Sequence, residues 1–229
     1  MVRRLLDLLG DMQALETSPQ SSLRDVLRAR THGAHRSLDD SLAVSDPAVE
    51  LDDYVAHLEG MWTFHAPLER RLLSSEVLLT RLPDLALRRR AHLAWSDLRA
   101  LDRDPGKVPF PSCTPDLTSL ATQLGVAYVL EGSTLGGAVL ARRLGAQLGL
   151  APSALRYLHG YGERTGERWR AFVQALDDAA LDEEGVESAA CAAEATFAHL
   201  GAWLHARGAT RRERSEIRPG VCCRGHSRT

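Results

Sequence analysis

A chain of 229 residues with 44% apolar side chains and a formal charge of −2 can bury a full hydrophobic core without disulfide support, and it projects no net basic field of the kind that holds nucleic acid. Its four cysteines, Cys113, Cys191, Cys222 and Cys223, show no C-x-x-C spacing and no paired histidines. That argues against a zinc site or a disulfide framework and fits a cytoplasmic protein.

The opening "MVRRLLDLLGDMQALE" is interrupted by Asp7 and Asp11 and reads as a frayed amphipathic segment covering residues 1–21, not as a secretory leader. No run is expected to span a membrane. Apolar positions recur at three and four residue intervals from there on, with little β-type alternation, so the expected fold class is all-α. The first core helix is predicted to start near Ser22, where Ser22 and Asp25 have capping-box spacing, and to run through Leu27, Ala34 and Leu38 to Leu42. Asp46 and Pro47 predict the start of the next helix, which Pro67 should kink or split. A helix from about Leu85 to Leu101 should precede a proline-rich loop, "DRDPGKVPFPSCTPD". Next comes "GVAYVLEGSTLGGAVLARRLGAQLG", a helical pattern broken at its middle. A short helix, a turn at Gly160 and Gly162, an amphipathic helix and a last Ala-rich helix follow, giving seven or eight in all. From Arg207 onward seven Arg stand against two Glu, which reads as a disordered tail over 207–229, leaving 22–206 as one helical domain.

The glycines of the broken helix need a reason, since each costs about 0.5–1 kcal/mol against Ala in a helix interior. Close packing is one reason; approach of the backbone to something flat is another. No histidine has an acidic residue three positions before it, which removes the commonest di-iron carboxylate pattern of helical bundles. P-loop, dinucleotide and nucleophile-elbow motifs are also absent. In "LRARTHGAHRSLDDSL", His35 borders the apolar stripe and Asp39 lies one turn on, where its carboxylate can orient a ligating imidazole. Arg28 is two turns back on the same face, roughly 10 Å along the axis. A ligand helix on one side and a close backbone on the other describe a haem pocket.

"RTHGAHRSLDDSL" resembles the proximal helix of the haem oxygenase family, and "YVLEGSTLGGAVL" resembles its distal helix, particularly in the bacterial, biliverdin-producing branch; "HGYGERTGERWRAF" is similar to that branch as well. The resemblance runs in order over residues 22 to 205. It implies a single helical bundle with a glycine-kinked distal helix, in which haem is both substrate and cofactor and is opened with O2 and electrons to biliverdin, CO and ferrous iron. It implies His35 as iron ligand, Asp39 as its supporting partner, and Gly132, Ser133, Gly136 and Gly137 as the distal wall. Arg28 and Tyr128 fall where the family places groups on the propionate side. Animal-type members carry an Asp where this chain has Ser133, so the groups that deliver protons are not specified. The resemblance further implies an external electron donor, a reductase or ferredoxin, and in some bacteria a biliverdin-binding photoreceptor.

Two alternatives share these features in part. A non-catalytic haem carrier or sensor keeps the same pocket. A thiaminase-like helical enzyme needs an activated cysteine, and neither Cys113 nor Cys191 has an evident base beside it. The other histidines, among them His57 and His65, receive no role from the sequence.

Overall fold

The computed structural model describes residues 22–211; the N-terminal segment 1–21 and residues 212–229 lie outside them. Nine α-helices and five short 3-10 turns are present among the described residues, with one isolated bridge between Leu42 and Thr210 in place of any sheet. The α-helices are α1 (Leu23–Ser41), α2 (Leu51–Leu73), α3 (Glu76–Arg81), α4 (Ala91–Ala100), α5 (Leu120–Gly132), α6 (Gly137–Leu148), α7 (Arg156–His159), α8 (Thr165–Asp177) and α9 (Glu183–Ala206). The long α9 is the central column, packing on α5, α1 and α2, while α4 closes against α2 and α7.

α1 starts where the sequence places it. Ser22 Oγ accepts from the Asp25 amide at 3.2 Å and its hydroxyl donates to Asp25 Oδ2 at 3.0 Å. The next start is displaced: Asp46 accepts from the Ala48 amide at 2.8 Å and shapes a turn, and α2 begins at Leu51 behind a reciprocal Glu50 and Asp53 capping box. Pro67 does not split α2, which continues to Leu73. The helix expected from Leu85 is also shorter. Arg88 and Arg90 are 4% and 3% exposed, Arg88 bonded to Glu131 and Arg90 to Leu130 O and Ser133. The chain does not run on as an α-helix between them. It forms a 3-10 turn at Leu85–Arg88, and α4 starts only at Ala91.

The stretch 120–148 is long and apolar enough by composition to cross a bilayer, with a mean hydropathy of 1.4, contrary to the expectation that no run would be. It is two core helices, with just over half of that window buried. The close approach of α5 to α9 rests on Gly125, whose added Cβ would lie 2.1 Å from the Ala189 carbonyl oxygen. Residues 207–211 pack on the bundle: Arg207 pairs with Glu59 at 2.7 Å, and the Arg211 amide donates to the Ser41 carbonyl at 2.7 Å.

One core group makes stability depend on pH. His57 is buried against Tyr157, its Nδ1 has no hydrogen-bond partner, and burial, with His65 adding, pulls it from 6.5 down to about 4. The folded state therefore prefers neutral His57. Its contribution is complete above the unfolded value and is lost as pH falls through the folded one, about 3 kcal/mol in total. Urea unfolding of wild type and His57→Leu at pH 7 and pH 4 checks this: the difference between them should move by about that amount in favour of the variant on acidification, and a constant difference would contradict it.

Candidate functional site

α5 ends at Gly132 and α6 begins at Gly137. Between them the α-helical ladder gives way to tighter bonds, from the Thr134 amide to Glu131 O, Leu135 to Gly132 O and Gly137 to Thr134 O, at 3.1, 3.1 and 3.3 Å. Gly132, Gly136 and Gly137 all keep negative φ, so backbone conformation does not demand glycine at these positions. Space within the protein demands it at one of them only. A Cβ on Gly137 would lie 2.1 Å from the Leu158 carbonyl oxygen of α7. A Cβ on Gly132 or Gly136 would meet nothing within 4 Å.

Gly132 and Gly136 therefore line an open face, and Leu135 and Val139, 51% and 72% exposed, complete the same i, i+3, i+4, i+7 stripe. Gly137 faces the opposite way. Its replacement by alanine should overpack the α6–α7 contact and cost about 1–3 kcal/mol, lowering the melting temperature. Gly136→Ala should leave it unchanged or higher.

His35 lies on α1. Its side chain is 53% exposed, Nδ1 lies 3.2 Å from Asp39 Oδ2, and the ring edge packs on Phe197 with centroids 5.7 Å apart. That leaves Nε2 as the outward nitrogen. Burial raises the Asp39 carboxyl, with His35 opposing and Asp40 adding to the shift. Arg28 is exposed on the same helical face. Tyr128 of α5 is half-buried beside Trp169, and burial raises its phenol while the Thr31 hydroxyl and the Arg24 and Arg28 guanidiniums draw it back. Thr31 and Arg28 of α1 thus lie beside Tyr128 of α5. Ser133 departs from the wall: its hydroxyl turns inward to donate to Leu130 O at 2.7 Å and to accept from Arg90.

Behind the break lies a buried polar chain that the sequence did not reveal. The Arg90 guanidinium also donates to Leu130 O at 2.8 Å and lies 5.1 Å from the Tyr157 ring centroid. The Glu69 carboxylate accepts from the Arg90 and Ala91 amides at 2.8 and 3.1 Å and sits 3.1 Å from His65 Nδ1. The Tyr157 hydroxyl is 3.3 Å from His65 Nε2. A carboxylate on Nδ1 assigns the proton to that nitrogen, so Nε2 accepts from Tyr157. Burial alone would raise Glu69, but His65 and the two amides hold it below its ordinary value. Beside this chain, Glu131 accepts from Arg88 and from the Tyr161 hydroxyl, both at 2.7 Å. A cavity of about 20 Å³ lies between the two sets, lined by His65, Glu69, Arg88, Arg90 and Glu131, and is large enough for one water. These residues are scattered from position 65 to 161, and each alone is an ordinary helix residue. The only sequence signal is the run Arg88–Arg89–Arg90 entering an otherwise apolar helix pattern.

Cys113 and Cys191 are on the surface, and the Glu187 carboxylate that accepts from Cys191 at 3.3 Å pushes its thiol up.

A family model described as heme oxygenase matches residues 112–206. The chain is 29% identical over 191 residues to the heme oxygenase PigA of Pseudomonas aeruginosa, covering 83% of this chain and 96% of the relative. It is 36% identical over 120 residues to a heme oxygenase of Xanthomonas campestris, covering 52% of this chain and 69% of the relative. Among solved structures, the heme oxygenase of Neisseria meningitidis, determined with NO and CO bound, superposes with a TM-score of 0.72 at 26% identity, over 82% of this chain and 92% of that one.

Proposed function

Because the chain belongs to the haem oxygenase family of haem-degrading enzymes, we propose that its substrate haem lies between the His35 face of α1 and the open stripe of the α5–α6 break. Three features of the residues fit such a group. The stripe is apolar and holds open space at Gly132 and Gly136, an imidazole faces outward with one nitrogen free, and Arg28 offers a cation for a carboxylate at the rim. The open face at Gly132 and Gly136 carries the reading.

Bound haem supplies the iron that takes up O2 and the ring that is opened, yielding biliverdin, CO and ferrous iron. His35 Nε2 would hold the haem iron, with Asp39, 3.2 Å from Nδ1, fixing the orientation of the imidazole. The Gly132 and Gly136 backbone limits the space on the opposite face and so restricts the directions of approach to the ring edge. Arg28 and the Tyr128 hydroxyl hold the propionate side. Ser133, its hydroxyl turned inward onto Leu130 O, and the chain Arg90, Tyr157, His65 and Glu69 form a polar layer behind the distal break, where animal-type members use a carboxylate. Electrons come from a separate reductase or ferredoxin.

Anaerobic titration with haem, followed by air and a reducing system with catalase present, tests this. The expected result is one haem bound, then loss of the Soret band with growth of a long-wavelength biliverdin band. A Soret band that stays stable with two competent electron donors would make the protein a haem carrier or sensor instead.

A further inference from the structure

A helix that stops leaves its last carbonyls without partners. In a continuous helix the Leu130 carbonyl would receive the Thr134 amide, but at the break that amide turns to Glu131 O at 3.1 Å. Two side chains replace it: the Ser133 hydroxyl at 2.7 Å and Arg90 Nη2 at 2.8 Å, and the same guanidinium nitrogen donates to Ser133 Oγ. Arg90 is therefore a cap supplied from another element, and its charge sits at the negative end of the α5 dipole. It is held firmly from its own side, with its amide on Glu69, its guanidinium on the Tyr157 ring and only 3% of its surface exposed.

Burying a guanidinium is costly unless its position is worth fixing, and no carboxylate bonds this one directly. The position it fixes is that of residues 130–133, the segment that leads into the open stripe. On the other side of the break, Gly160 has a positive φ of 53° and passes Arg90 Cδ and Thr134 Cβ at 3.9 and 4.0 Å from its notional Cβ, so α7 closes on the same arginine. We propose that Arg90 is a positioning residue that sets the geometry of the distal break and, through it, which edge of the haem is attacked. This rests on the assignment of the stripe as the haem wall.

Two variants test it, Arg90→Met, which keeps length and loses the donors, and Arg90→Lys, which keeps the charge and reaches one acceptor at a time. In the haem-free protein, amide hydrogen exchange over residues 133–137 should rise about tenfold or more in the methionine variant, with α2 and α9 unchanged. With haem, the ratio of biliverdin isomers should shift and kcat should fall more than KM rises. The lysine variant should lie between the two. A merely stabilising residue would raise exchange throughout and leave the isomer ratio alone. Wild-type exchange and a wild-type isomer ratio in either folded variant overturn the proposal; if the methionine variant does not fold, the lysine variant decides. If the wild type bound haem but formed no biliverdin, the assigned function would fall while the exchange experiment still judged Arg90 as the cap of the break.

Discussion

Replacing His35 with alanine is expected to remove the imidazole signature of the haem complex and to reduce turnover by more than about 100-fold, since loss of an outer partner alone typically costs about 10–100-fold. The fold should survive. The side chain is half exposed, and what it loses within the protein is one edge contact with Phe197 and the pair with Asp39; the edge contact is worth about 0.5–1.5 kcal/mol. Asp39→Ala keeps the ligand and loses its orientation, so it should retain imidazole coordination with turnover reduced about 10–100-fold. A folded His35→Ala protein with an intact imidazole spectrum would show that another nitrogen binds the iron.

The second large effect is on the opposite wall. Gly136→Leu should weaken haem binding about tenfold or more, a loss of roughly 1.4 kcal/mol, while the haem-free protein becomes no less stable. The two directions separate because Gly136 has φ of −91° and open space at its Cβ. A leucine fits the folded chain without strain, and the chain loses the unfolded-state freedom of a glycine, a gain of about 0.4–1 kcal/mol. Only something lying against the stripe pays for the added side chain. Titration with haem and thermal melts of the same preparation check both halves. Unchanged haem affinity would mean that the ligand does not lie against Gly136.

The proposed wall and its ligand could be read from the sequence because their signals are local. His35, Asp39 and Arg28 sit within about three turns of one helix, and the glycines of the break are conspicuous against a Leu and Ala background. The start of α1 could be read for the same reason, as its cap lies three residues from the group it satisfies. What the sequence concealed is the layer behind the wall. Glu69, Arg90, Ser133 and Tyr157 come from four separate segments, and only tertiary packing brings them together. The same layer sits at a misplaced boundary: Arg88 and Arg90, both buried in it, fall between the 3-10 turn and the start of α4, where the apolar pattern suggested one continuous helix. Gly137 shows the limit of reading glycines as a group. It looks like its neighbours in the sequence, yet it answers to the Leu158 carbonyl instead of to the open face.

The central claim, that haem sits between α1 and the break with His35 on its iron, is tested most directly by a crystal structure of the ferric haem complex. The account predicts iron bonded to His35 Nε2, with Asp39 still on Nδ1, the Gly132 and Gly136 backbone against the opposite face of the ring and a propionate within reach of Arg28. Haem bound elsewhere, or with iron on a different residue, would contradict it.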